Sequence, residues 1–223
     1  MILSQIVTDV QNRSGDSTIT ETKITGWVNN ATRLIGNRAD WPFYLTADAT
    51  DATVAGTADA ALQTDFRKMF SVRVGGATEP AGDEYLFVGY MEKNIAINQL
   101  SNAVNAYYID PTTSKYGLIP TPTTTGDTVW QKYYRNPDTV SCVSATPDLP
   151  TQYHDALVDF SLARYWEEED ELDKTVLYET MVENSIETMK NEMLKSVGQL
   201  TRMRDVRELD VQDHPQGFNY LQR

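Results

Sequence analysis

One cysteine and two histidines are all that this 223-residue sequence offers of the residues that most often ligate metals or activate nucleophiles. The lone thiol, Cys142, forbids a disulfide within the chain and fits synthesis in a reducing cytoplasm. No run approaches the ~20 apolar residues of a membrane span. No basic flank followed by an apolar run opens the chain, so no signal peptide is expected. Positive charge is scarce: 19 Lys and Arg stand against 32 Asp and Glu, a net charge of −13. Phosphate binding depends on clustered cations, so the chain is a poor candidate for gripping nucleic acid, though it is compatible with facing DNA. Solubility alone accounts for an acidic excess of this kind.

What is present reads as helices around a strand-rich middle. Leu3, Ile6, Val7 and Val10 recur at helical spacing and predict a helix over 4–14, stopped by Gly15. Ile24, Trp27, Val28, Ala31, Leu34 and Ile35 form the stripe of a second helix, capped by Thr20 or Thr22. Asp40-Trp41-Pro42 ends it, because the residue before proline is driven from helical angles. These two helices are expected to pair antiparallel. From residue 43 helical spacing gives way to Thr, Val, Tyr, Gly and Pro. Strands are expected at 43–50, 58–62, 68–74, 103–109, 116–119 and 128–135, with 83–100 ambiguous and open to a short helix. The middle therefore predicts a small antiparallel sheet or sandwich.

A third helix is expected over 151–168. Tyr153, Ala156, Leu157, Phe160 and Ala163 lie on one face; Val158, Leu162, Tyr165 and Trp166 lie on the other. A helix apolar on two sides is buried on two sides, so Val158, Leu162, Tyr165 and Trp166 are candidates for packing between subunits, or for a larger internal core. A fourth helix is expected over 172–197, with Val182, Ile186, Met189 and Met193 as its stripe. Residues 151–198 carry twelve acids against four bases. The remainder, 199–223, reads as an arm that orders on a partner. Its candidate contacts are Arg202, Arg204, Arg207, Phe218, Tyr220 and Leu221. The expected fold class is α+β. Residues 1–42 and 147–198 form a four-helix bundle, 43–146 an inserted antiparallel sheet or sandwich, and 199–223 the arm.

No catalytic or metal site emerges, and no cofactor is expected. His154 sits in the first turn of the third helix, and Asp155 beside it does not face it, because adjacent helical residues diverge by about 100°. His154 reads as a capping or packing residue, and Cys142 as buried or inert. The acids from Glu167 to Asp173 lack the glycine and alternating ligands of a calcium loop. There is no phosphate loop, zinc spacing, Gly-x-Ser-x-Gly elbow or dinucleotide fingerprint. Two other classes remain in view: a ligand- or glycan-binding module using the β insert, and a hydrolase using His154.

Four segments resemble the bacteriophage head-to-tail adaptor (neck, connector) family of short-tailed phages. Ile24–Phe43 resembles that family's helix with Trp-Ile-Asn-x-Ala followed by Asp-Trp-Pro. Val54–Leu62 with Asp65-Phe66 is similar to its hairpin and Leu-Pro-x-Asp-Phe, although Gln63-Thr64 stands where the proline is expected. Tyr107–Asp110 with Gly117–Pro122 is the third, and Leu149–Val158 with Ala163–Tyr165 the fourth. The four segments lie within residues 3–198. The resemblance implies a non-enzymatic virion protein, made in the host bacterial cytoplasm, that forms a ring of twelve copies. Its implied partners are further copies of itself, the portal, the tail tube or nozzle, and tail fibres. DNA would pass through without sequence-specific binding, and no membrane is involved.

Overall fold

The structure is a computed structural model that describes residues 1–47, 49–75, 86–90 and 106–194. The chain divides into two units, Met1–Ala31 with Val140–Arg223, and Thr32–Thr139. The first is helical. It contains α1 (Leu3–Ser14), the start of α2 (Glu21–Arg38), α3 (His154–Glu168) and α4 (Leu172–Met193). Leu3, Ile6, Val7 and Val10 are buried along α1, as their spacing requires. Gly15 ends α1 in the left-handed conformation at φ 75°, where glycine carries no side-chain penalty.

The amide groups that open α1 have no side-chain cap. They donate instead to chain returning from the other unit, Leu3 to the Ala145 carbonyl at 2.8 Å and Ser4 to that of Val143 at 2.9 Å. Asn29 on α2 makes a two-way clasp with the same return: its Nδ2 donates to the Val140 carbonyl, and the Val140 amide donates to its Oδ1. α1 packs chiefly on α3, and α3 on α4. Periodicity marks the face a helix buries but not the neighbour it buries against. α3 is enclosed nearly all round: ten of its fifteen residues are buried. It is preceded by a 3-10 turn at Thr151–Tyr153, so the α-helix proper starts three residues later than its sequence pattern. α4 buries Val182, Ile186 and Met189 from the predicted stripe, and Thr175 with them.

The described residues of the second unit form seven strands: β1 (Ala49–Ala52), β2 (Asp59–Ala61), β3 (Phe66–Gly75), β4 (Leu86–Tyr90), β5 (Ala106–Asp110), β6 (Lys115–Ile119) and β7 (Thr128–Arg135). Their order is β1-β7-β3-β4-β5-β6-β2. All pairings are antiparallel except the short β4–β5 pair, so the architecture is α+β with a largely antiparallel sheet. The strand expected at 43–50 is displaced. Pro42–Tyr44 forms a 3-10 turn with proline at its start, and β1 begins only at Ala49. Within the ambiguous stretch, 86–90 is strand; the rest of it lies outside the described residues.

The sheet curls. Tyr116 on β6 donates its hydroxyl to Asp51 on β1 at 3.1 Å, although five places separate those strands in the order. Met69, Val72, Tyr107, Tyr116, Leu118, Val129 and Tyr133 form one interior cluster contributed by β3, β5, β6 and β7. Burying such side chains contributes roughly 1.5–3 kcal/mol each relative to exposure. Gln131 shares the inward side of β7 with Val129 and Tyr133 by strand alternation, and its buried amide has no hydrogen-bond partner among the described residues.

At the end of α2 the chain is fastened to β3. Trp41, fully buried, donates Nε1 to the Ile35 carbonyl at 2.7 Å. Arg67 donates to the carbonyls of Gly36 and Ala39 and to Asp40, which also accepts from Lys68. One guanidinium thus satisfies carbonyls that the helix end leaves open.

Candidate functional site

The residues that carried the resemblance hold the fold together. Asn29 clasps Val140, Trp41 and Asp40 close the end of α2, and Asp65 accepts from the Tyr133 hydroxyl at 2.8 Å. Leu149 offers its carbonyl to His154 Nε2 at 2.7 Å.

His154 itself is fully buried, and its other ring nitrogen accepts from the Met1 amino group at 2.7 Å. Both nitrogens are therefore engaged, with Nε2 carrying the proton of a neutral ring. Burial pushes the His154 pKa below its ordinary 6.5, and the adjacent amine adds to that. The folded state thus prefers neutral His154. Stability from this group is complete above about pH 6.5 and falls as acid protonates the unfolded chain first. Asp159 works in the opposite direction. Its carboxyl, 3.4 Å from Arg13 Nη1, is raised by burial against the attraction of Arg13, so acidification relieves an ionised buried group. Denaturation midpoints are expected to drop as the pH falls below about 6.5 in the native chain, and the drop is expected to disappear in His154→Gln. An unchanged slope in that variant contradicts this assignment.

Cys142, expected to be buried or inert, is exposed, with Sγ 3.6 Å from Ser144 Oγ. The acids at the end of α3 and just after it are distributed among separate partners: Glu167 pairs with Arg164, Glu168 with Lys23, and Glu171 with Lys174. Among the described residues no group of three or more His, Cys, Asp or Glu is placed to hold a metal ion.

Of the residues predicted to pack between subunits, Val158 and Leu162 have no exposed surface in the single chain, and Tyr165 is 9% exposed. Trp166 is half-buried; Lys174 lies 3.8 Å from its ring centroid, and Tyr165 packs edge-on against it. The arm residues Arg202, Arg204, Arg207, Phe218, Tyr220 and Leu221 lie outside the described residues.

A surface that periodicity did not single out lies on the first half of α4. Leu172, Val176, Leu177 and Met181 are 72%, 61%, 52% and 41% exposed. Leu172 and Val176 lie one turn apart, as do Leu177 and Met181, and the two pairs flank the polar Asp173 and Thr180 on the solvent side of this half of the helix. The signal was in the sequence as apolar residues off the Val182–Ile186–Met189 stripe. A helix that leaves four large apolar side chains in water marks a contact surface.

The β-rich unit has a recess of about 700 Å³ lined by Leu62, Phe66, Met69, Tyr107, Ile109 and Pro111, with Arg67, Lys68 and Ser114 also on its wall. The outer side of β3 and β7 carries Lys68, Phe70, Arg73, Lys132 and Tyr134 opposite the interior cluster, together with Trp130, which is buried. Phe70 sits at an irregularity in the β3–β7 register, is 55% exposed, and meets Tyr134 edge-on with centroids 6.0 Å apart. A bulge of this kind re-aims a side chain away from the regular pleat.

No helix among the described residues is long and apolar enough to cross a membrane. No curated protein matches the sequence. The family description SU10 adaptor protein matches residues 1–207, nearly the whole chain. With its motif residues engaged as fasteners and its apolar surface facing outward, the chain belongs to the SU10 adaptor protein family, phage head-to-tail adaptors that are structural proteins of the virion and not a family of enzymes.

Proposed function

We propose that this protein forms a ring in the phage neck, of twelve copies, joining the portal to the tail tube or nozzle and letting DNA pass. The observation that carries this reading is a family match running from residue 1 to 207, which takes in both helical segments and the β-rich segment. In this proposal residues 1–42 and 147–198 form the helical body, 43–146 project as the β insert, and 199–223 reach the portal as an arm. Net charge of −13 supports passage of DNA without retention, since a lumen poor in cations does not exchange counterions with phosphate. Contact between copies includes Trp166, the half-buried member of the α3 group.

Portal attachment through Arg202, Arg204, Arg207, Phe218, Tyr220 and Leu221 gives a direct test. Deleting residues 199–223 is expected to leave the melting temperature of the remaining chain unchanged and to lower portal binding at least tenfold in a co-sedimentation assay. Portal binding equal to that of the full chain contradicts the arm.

The recess in the β-rich unit favours one other reading, a ligand- or glycan-binding module, because it presents Phe66 and Tyr107 beside Arg67 and Lys68. A portal-bound ring in the electron microscope supports the adaptor. A compact particle that binds glycans and ignores the portal supports the module.

A further inference from the structure

Taking assembly as an adaptor for its premise, we propose that copies join head to tail, the exposed apolar half of α4 on one copy seating against the outer face of β3 and β7 on the next.

Charge is the first ground. From Arg164 to Lys190 the chain holds nine acids and three bases. β3 and β7 run the other way: Arg67, Lys68, Arg73, Lys132 and Arg135 are their charged residues, and neither strand contains an acid. Three of these five, Lys68, Arg73 and Lys132, lie on the outer face; Arg67 turns to the end of α2, and Arg135 shares the inward side of β7 with Val129 and Tyr133. Complementary potentials of this kind guide two surfaces into register and disfavour like-with-like pairing. Pairing of α4 with α4 of another copy would bring acid against acid.

Apolar surface is the second. Leu172, Val176, Leu177 and Met181 protrude from the acidic helix, and Phe70 protrudes from the basic strands at a register irregularity. Leu172 with Val176 on the helix, and Phe70 on the strands, each supply a small apolar centre with charge around it, the usual anatomy of a protein contact. The two surfaces are different, so the contact is heterologous, the kind that builds a ring when its rotation closes.

DNA is the weaker occupant for the basic face. Arg67 and Lys68 are tied to Asp40, and Arg135 is tied to Asp138 at 3.0 Å, so these cations are already engaged within the chain. An exposed phenylalanine between them adds nothing to counterion release, whereas it matches an apolar helix face.

The test uses the full chain with Cys142→Ser, which removes the exposed native thiol. Adding both Phe70→Cys and Val176→Cys, assembling on the portal and oxidising is expected to give a disulfide ladder extending beyond the dimer. Either cysteine alone is expected to give no ladder. Rings visible on the portal without a ladder overturn this contact and leave the adaptor reading standing. Absence of any portal-bound assembly, with the chain folded by circular dichroism, overturns both. Dimers from Val176→Cys alone show α4 meeting α4 and overturn the head-to-tail contact. Loss of DNA retention in Lys132→Glu, with the ladder absent, assigns the basic face to DNA and also overturns it.

Discussion

Replacing Gly117 with valine is expected to destabilise the β-rich unit by about 3 kcal/mol, combining the usual 1–3 for overpacking with a lost hydrogen bond of roughly 0.5–1.5. Gly117 on β6 stands opposite Tyr108 on β5 and Asp59 on β2. The Tyr108 ring lies across the glycine and donates its hydroxyl to Asp59, so one side chain spans three strands. A Cβ at position 117 would fall inside that ring. The ring has to leave, and with it go the Asp59 bond and the packing on Ala106 and Ile119. Burial and the Asp59 carboxylate push the Tyr108 pKa up to about 12, which marks how closely the hydroxyl is held. Urea denaturation measures the loss. Tyr108→Phe keeps the ring and is expected to cost only about 1 kcal/mol. Tyr108→Ala in the Gly117→Val background is expected to recover part of the loss, because the clash is gone. A Gly117→Val midpoint equal to that of the native chain contradicts the steric account.

Exchanging Leu172 and Val176 for aspartate is expected to do the reverse: little to stability and a great deal to assembly. Both side chains stand mostly in water, so the folded chain loses little apolar burial, and surface changes of this kind fall within about ±0.5 kcal/mol. Position 172 opens α4, where negative charge favours the helix dipole. In the proposed contact the two positions meet the apolar Phe70 of the next copy, so carboxylates there lose the apolar burial and have to be desolvated against an aromatic ring. The double variant is therefore expected to melt with the native chain and to be depleted at least tenfold from purified virions, measured by quantitative mass spectrometry of neck proteins. Native incorporation at an unchanged melting temperature contradicts a contact through this half of α4.

The helices were legible because their apolar residues repeat at 3.6-residue spacing. Ile186 and Met189 are fully buried where the stripe places them. β7 was legible over its whole length because Thr-Val-Trp and Tyr-Tyr cluster between turn residues. Its inward side is mixed, with Gln131 standing among Val129 and Tyr133. β1 was misplaced because Ala-Thr-Asp-Ala has weak strand character of its own; it is held by pairing with β7. Its displacement follows from Pro42, which opens a 3-10 turn where a strand was expected. The packing of α1 on α3 was hidden, since a stripe carries no address for its neighbour.

The candidate surface was only partly legible. The α3 residues Val158 and Leu162 were correctly seen as a second apolar face, but a face can be closed by the chain's own core, and in the single chain it is. Leu172, Val176, Leu177 and Met181 were equally visible as letters. They escaped notice because the regular stripe beginning at Val182 explained the helix without them. Asp40 and Arg67 show a related limit. They lie 27 residues apart in sequence, and only the fold brings one guanidinium to Asp40 and to the carbonyls of the helix end.

Electron microscopy of the full chain mixed with its portal tests the central claim most directly. A ring of this protein seated on the portal, with an open axial channel and the β-rich unit resolved in each copy, is the predicted result. A folded chain that leaves the portal bare at saturating concentration would contradict it.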